Sequence, residues 1–501
     1  MLEYRSPLER LCIKLWCMAR ANALPLSSGM IFGLLAHMFA FTNKLMNADE
    51  VTAIFSKGAT IESGRWALEL LEYIFPNLSV PWLWGMISIF LISIAACITL
   101  RIFNIKHSFF KVLLPAMFVV FPSQTGVFCF MFTSSSYAVS FLLAVLAVWI
   151  FVNMKKRPAA WIVSCLMLAF SIGVYQAYVA ISASFFVMLM IQRLLENEDA
   201  VKVFKQGVGF VLMLLASLVV YYVFAFAAVK LSGGEFIYYA VDQETRLLFK
   251  IALAYNALVK ALLSGYFGFV ESPLSFICHL VGLGLCAVLA VMEIIKLKDM
   301  KRRGLVLLCI ILLPLSMNCI FLISSTQIIH SLVLYSFIVI YVFAAILLDR
   351  SKGIKLLWLR DVVVLCMLLT VVNNVYLANK VYLVMHIQYE NAYSFYSGVM
   401  EDVYDAEGYN TDLSLVIYGE YKGLPELEQL DTGELFGPSE NLVNIYTKDH
   451  FLKNYLGYGG EYASPDESRA LYNDPRVAEM PAYPYDGSVK VIDDYVVVNL
   501  G

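Results

Sequence analysis

Apolar stretches, each about the length that a bilayer core requires, follow one another from Ala23 to Tyr376, separated by short clusters of charge. A hydrocarbon layer about 30 Å thick takes about 20 apolar residues in a helix. No water reaches that depth, so each segment must pair its own backbone groups and is therefore helical. The spans read as Ala23–Phe41, Trp82–Phe103, Phe109–Phe121, Ser134–Val152, Pro158–Gly173, Tyr178–Leu195, Gly207–Val229, Phe276–Leu297, Leu305–Ile323, Ser331–Leu348 and Leu356–Tyr376. Eleven such segments predict an all-α polytopic membrane protein. The composition agrees: 15% of residues are charged, where a soluble domain carries roughly 25%.

Orientation follows from where Lys and Arg fall, because loops that stay in the cytoplasm carry the excess. With the N-terminus inside, the inner segments hold Arg5, Arg10, Lys14 and Arg20; Arg101, Lys106 and Lys111; Lys155, Lys156 and Arg157; Arg193, Lys202 and Lys205; Lys296, Lys298, Lys301, Arg302 and Arg303; and Arg350, Lys352, Lys355 and Arg360. Every inner connection is basic, and these segments hold most of the chain's 36 basic residues. An odd span count then puts the tail outside. Residues 1–20 carry Glu3, Arg5, Glu9, Arg10, Lys14 and Arg20, which leaves no apolar core for a cleavable signal peptide. Instead Leu8, Leu11, Cys12, Leu15 and Trp16 fall at helical spacing with basic residues between them, which predicts a cytoplasmic amphipathic helix on the inner membrane surface.

The expected organisation is thus an amphipathic helix over 1–22, a transmembrane domain over 23–376 with external loops 42–81 and 230–275, and an extracytoplasmic domain over 377–501. In the second loop Leu247, Leu248, Ile251, Tyr255, Leu258, Val259 and Leu262 keep helical period. The tail first continues helically. Then "LSLVIYG" and "VKVIDDYVVVNL" read as strands, the latter a hairpin turning at Asp493-Asp494, so the tail is a small α/β domain. None of the ten cysteines lies beyond Cys366, which leaves the tail without a disulfide framework. The six histidines are scattered, which argues against a zinc site.

Ionisable residues inside spans mark ion or substrate pathways. Here Lys111, Glu293 and Asp361 all lie near inner span ends, where long side chains reach the headgroups. A proton-coupled transporter would place a carboxylate mid-span. A lipid-linked glycan flippase or polysaccharide transporter, the alternative reading, would need a polar cavity, and these spans offer little besides Ser, Thr, Asn and Gln.

The polar groups that call for explanation lie outside, near the membrane. Asp49 and Glu50 follow the first span closely; on composition they also fit a solvated loop pair. Glu62-Ser63-Gly64-Arg65-Trp66 comes next. Gly64 allows a turn, Trp66 suits the interface, and the planar fork of Arg65 matches phosphate oxygens, although an ordinary headgroup anchor has the same spacing. Tyr175 and Gln176 occupy a sharp turn between two short spans. Arg246 and Lys250 in the second loop, Glu271, and the Ser324–His330 turn face the same side.

These residues resemble a known family. The Asp-Glu pair in the first external loop, the "SGRW" run, the short spans around "GVYQ" and the ending "GSVKVIDDYVVVNL" look like the Gtr-type bacterial membrane glucosyltransferases. That family belongs to the GT-C superfamily and includes the O-antigen serotype-converting enzymes. The resemblance implies a GT-C-like fold in the bacterial cytoplasmic membrane. It also implies transfer of glucose from a polyprenyl-phosphate donor to a cell-surface glycan acceptor on the outer face. The superfamily's catalytic carboxylate lies in the first external loop, which maps to Asp49 or Glu50. Arg65 would meet the donor phosphate, and Trp66, Glu62, Tyr175, Gln176, Arg246, Lys250 and Glu271 would line the substrate. Two adjacent carboxylates serve either as a base or as ligands that help hold Mg²⁺; no other cofactor and no nucleic-acid partner is implied. If the donor is β-linked and one carboxylate is the base, transfer inverts configuration.

Overall fold

The computed structural model describes residues 6–54, 60–76, 78–236, 246–263, 273–322, 330–350, 357–421, 442–444 and 446–501. The chain forms two compact units, one made of Met1–Asn43 with Lys57–Asn379 and the other of Lys44–Ser56 with Lys380–Gly501.

The larger unit is helical. A short leading helix, α1 (Pro7–Ala21), precedes the first span, α2 (Ala23–Thr42). The next spans are α5 (Pro81–Ile102), α6 (Ser108–Val120), α8 (Ser134–Asn153), α9 (Arg157–Val174), α10 (Val179–Leu195) and α11 (Ala200–Ser232). After them come α13 (Pro273–Lys296), α14 (Met300–Met317), α15 (Val339–Arg350) and α16 (Leu357–Asp405). Each of the eleven apolar segments is therefore helical. By length and apolarity, nine helices among the described residues qualify as spans, or ten when a bent pair counts as one. That pair is α6 with α7 (Pro122–Phe128), bent by 42°. Pro122 drives Phe121 into extended backbone (ψ 139°), so the expected span Phe109–Phe121 ends in a break and then continues. The remaining helix, α14, starts with Lys301, Arg302 and Arg303, which lower its apolarity.

Several buried polar side chains of this unit pair with backbone carbonyls of a neighbouring helix. Ser28 Oγ donates to Val112 O at 2.7 Å, Ser140 Oγ to Ser171 O at 2.9 Å, Ser182 Oγ to Ala144 O at 2.9 Å, and Tyr335 Oη to Phe118 O at 2.6 Å. The basic connections gather at one end. Arg101 donates to Asn22 Oδ1 at 3.2 Å, and the His107 amide to Asp349 Oδ1 at 3.0 Å. Arg302 donates to Asn197 Oδ1 at 3.1 Å. Arg350 donates to Leu195 O at 2.6 Å and pairs with Glu196 and Glu293 at 3.6 and 3.9 Å.

The period-keeping stretch of the second loop is α12 (Leu247–Leu263). It is anchored on α14, where Tyr255 Oη donates to Ile311 O at 2.6 Å and Asn318 Nδ2 donates to Ala254 O at 2.9 Å.

The smaller unit is a three-stranded sheet of β1 (Ser414–Tyr418), β2 (Val489–Ile492) and β3 (Tyr495–Asn499) in the order β1-β3-β2. β1 pairs with β3 in parallel and β2 pairs with β3 antiparallel, closing the expected hairpin at Asp493-Asp494 with Asp493 at φ 53°. Leu415, Ile417, Val496 and Val498 pack with Tyr396, Val399 and Met400 of α16 and with Phe451 and Leu452 of the helix Lys448–Tyr455. On the other side Val497 and Ile492 meet Leu471, Val477 and Met480. Both faces of β3 are thus covered, which explains its unbroken apolar run.

The division differs from the expected one in two places. The boundary falls after Asn379 rather than Tyr376, within the continuous α16. Residues Lys44–Ser56, expected as part of a membrane-domain loop, belong to the smaller unit because Met46 and Val51 are buried in its core.

Candidate functional site

In the larger unit, residues 60–66 form a tight turn. The Gly64 amide donates to Ile61 O at 2.8 Å, the Arg65 amide to Thr60 O at 2.9 Å, and Ser63 Oγ to Thr60 O at 2.8 Å. Gly64 sits at φ 77°, a left-handed conformation that costs any other L-residue energy. A Cβ there would also stand 2.6 Å from Tyr221 Oη, so the turn is seated directly on α11. Gln176, in the turn between α9 and α10, locks it from the other side. Its Nε2 donates to Ser63 O at 2.8 Å and to Tyr221 Oη at 3.3 Å.

This turn presents Arg65 and Trp66. The Arg65 guanidinium lies 5.5 Å from the centre of the Tyr175 ring, and that ring stacks on Tyr137 at 4.5 Å and meets Tyr178 edge-on at 5.1 Å. A cation over a desolvated aromatic face gains roughly 2 kcal/mol, and each aromatic pair adds roughly 0.5–1.5 kcal/mol. The guanidinium is therefore seated over a buried tyrosine stack. Trp66 opens α4 (Trp66–Glu72), stacks on Phe224 at 5.1 Å and meets Phe170 edge-on at 5.8 Å. Its indole packs against α9 where Gly173 has no side chain; a Cβ there would come within 2.6 Å of the ring. Glu62 is half-buried beside Gly234, just past the end of α11.

The carboxylate pair lies in the smaller unit, on α3 (Ala48–Ala53). Asn47 caps this helix, its Oδ1 accepting from the Glu50 amide at 2.9 Å. Adjacent residues on a helix point about 100° apart, and the two carboxylates part accordingly. Asp49 is exposed, whereas Glu50 is 2% exposed and ion-paired with Lys44 at 3.5 Å. Asn454, on the helix Lys448–Tyr455, donates to Val51 O at 3.4 Å. Burial, and secondarily the Glu50 charge, raise the Tyr455 phenol above its ordinary range.

The expected site residues thus separate. Arg65, Trp66, Tyr175 and Gln176 come together in the larger unit, with Glu62 in the same turn. Asp49 and Glu50 stand in the smaller one. In the second loop, Arg246 is exposed just before α12, while Lys250 is buried on it. Glu271 and Ser324–Gln327 lie outside the described residues. Among the described residues no group of three His, Cys, Asp or Glu is placed to hold a metal ion. Tyr221 is the residue of this turn's packing that the sequence did not offer, since a tyrosine inside a span of 33 residues reads as lipid- or core-facing.

By its fold the chain is a polytopic helical membrane protein with a polar turn seated on α9 and α11 and a small α/β unit. Residues 38–393 match the family model of glucosyl transferase GtrII, and the chain belongs to that family. It is a glucosyltransferase. The matched region runs from α2 into α16 and includes Asp49, Glu50, Arg65, Tyr175 and Gln176, while the strands lie beyond it. No curated protein and no solved structure matches the chain.

Proposed function

We propose that this glucosyltransferase moves glucose from a polyprenyl-phosphate donor to a cell-surface glycan on the extracytoplasmic face of the bacterial cytoplasmic membrane. The observation that carries the reading is the Arg65 turn. It lies on the end of the larger unit away from the basic connections, where the ends of membrane spans reach headgroup depth on this reading, and its guanidinium stands 5.5 Å from the Tyr175 ring centre. A lipid-borne phosphate sits at that depth. Arg65, with its in-plane donors, meets the phosphate oxygens as they gather charge, and Trp66 anchors the turn in the interface.

In the reaction, a hydroxyl oxygen of the acceptor forms a bond to the anomeric carbon as the bond from that carbon to the phosphate oxygen breaks. The electron pair leaves with polyprenyl phosphate, and the hydroxyl proton passes to a carboxylate. Asp49 fits the role of base because its carboxylate is exposed, whereas Glu50, buried against Lys44, supports α3. Attack opposite the leaving phosphate inverts the anomeric centre.

The test is transfer by the full-length protein in lipid vesicles supplied with the surface glycan. Polyprenyl-phosphate glucose supports transfer and a nucleotide-linked glucose does not. The reverse preference, or movement of lipid-linked glycan across the bilayer without transfer, overturns the reading. A reporter active only in the cytoplasm, fused after Gly501, stays silent; activity there reverses the assigned side.

A further inference from the structure

Helix α1 is well specified yet, among the described residues, buries no side chain of its own, Ile13 alone being half-buried. Ser6 and Glu9 form a full capping box: Ser6 Oγ accepts from the Glu9 amide at 3.1 Å and Glu9 Oε2 accepts from the Ser6 amide at 2.8 Å. Pro7 occupies the first turn and Arg20 the last, as helix ends favour. Wound at 3.6 residues per turn, Leu8, Leu11, Cys12, Leu15 and Met18 share one side with Trp16 at its margin. Arg10, Lys14, Cys17 and Arg20 share the other. No residue of α1 is buried, and Leu8 and Trp16 are 69% and 70% exposed. A helix of 15 residues is marginal in water on its own, so its apolar side calls for a cover.

Two observations identify that cover. Asn22 both ends α1 and precedes α2, and Arg101 at the end of α5 donates to Asn22 Oδ1 at 3.2 Å. The junction between α1 and α2 is therefore held level with Arg101, the basic end of the α5 span. The polar side of α1 is basic, its one acid, Glu9, being engaged in the capping box.

We propose that α1 lies in the headgroup layer of the bilayer that α2 crosses, apolar side inward, and recognises an anionic lipid surface. Each basic residue near such a surface contributes roughly a five-fold preference, so Arg10, Lys14 and Arg20 together favour anionic over neutral lipid by on the order of a hundredfold.

The helix carries its own reporters. Cys12 is on the apolar side and Cys17 on the basic side; both are exposed, while the other eight cysteines are buried or half-buried. In the full-length protein, Cys17→Ser leaves Cys12 as the reporter, Cys12→Ser leaves Cys17, and the double variant gives the background. The proteins are placed in lipid nanodiscs, which expose both faces, and treated with an uncharged polyethylene-glycol maleimide.

In phosphatidylglycerol-rich discs Cys12 reacts at least about tenfold more slowly than Cys17, because the apolar side is sunk below the headgroups. In phosphatidylcholine discs, or in 1 M salt where charges are screened beyond about 3 Å, the two rates converge. Leu11→Gln with Leu15→Gln releases Cys12 and leaves Cys17 unchanged. Equal rates in the anionic discs place α1 in water and overturn the proposal. Equal protection in both lipids overturns the anionic recognition, and protection confined to native membranes assigns the face to a protein partner instead.

Discussion

Gly64→Ala strikes the turn that presents Arg65, and the structure gives the terms of its cost. Left-handed backbone at φ 77° costs an alanine roughly 1–2 kcal/mol. The new Cβ would lie 2.6 Å from Tyr221 Oη and 3.3 Å from Gln176 Nε2. Tyr221 must then yield, which loosens the Gln176 contacts to Tyr221 and Ser63, each worth roughly 0.5–1.5 kcal/mol. The sum is roughly 2–5 kcal/mol, confined to a turn that the spans do not need for insertion. Glucose transfer in vesicles is expected to fall by about thirtyfold to a few thousandfold, given 1.4 kcal/mol per decade. Insertion and span stability remain near normal. Tyr221→Phe separates the two causes. It deletes the offending oxygen and leaves the ring carbon 3.7 Å from the Cβ, an ordinary contact. Placed on a Tyr221→Phe background, Gly64→Ala should therefore cost only the backbone part, about a tenfold loss. Wild-type transfer by Gly64→Ala, or an equal penalty with and without the Tyr221 hydroxyl, refutes the argument that this contact seats the turn.

Three further perturbations bear on the site and the sheet. Asp49→Asn lowers transfer by about 10²–10⁴-fold with the protein normally inserted, and Glu50→Gln lowers it less; near-normal transfer by both removes the carboxylates from the chemistry. Arg65→Ala lowers donor use by about tenfold to a hundredfold, and Arg65→Lys restores only part of it because the flat fork over Tyr175 is gone; full rescue by lysine makes Arg65 a plain headgroup anchor. Arg476 donates to Asp474 at 2.7 Å and to Asp493 at 2.6 Å, and these bonds hold both carboxyls below their ordinary range. Their stabilisation is present above an unfolded value of about 3.9 and is lost as pH falls through the lower folded values. The protection of the amides at 489–499, taken relative to the intrinsic exchange rate at each pH, should therefore fall on acidification below about pH 4 in the wild type and show less of this step in Arg476→Met.

The sequence by itself determined the membrane architecture, because period, apolar length and the placement of Lys and Arg are local properties that a bilayer reads directly. The eleven helical segments, the basic connections, the α12 helix, the continuation of α16 and the hairpin at Asp493-Asp494 all followed from them. The turn at Gly64 was legible for the same reason, since only glycine tolerates that backbone cheaply. Tertiary structure alone decided which residues meet. Gln176 lies 113 positions from Ser63, and Tyr221 lies 45 from Gln176; no local pattern links them, and Tyr221 looks like any other span residue. The fate of residues 44–56 was hidden in the same way. They follow the first span in sequence, yet Met46 and Val51 find their apolar partners in Phe451, Leu452 and the distal half of α16. Burial there, rather than proximity along the chain, carries Asp49 and Glu50 into the smaller unit and turns one of them outward and the other in.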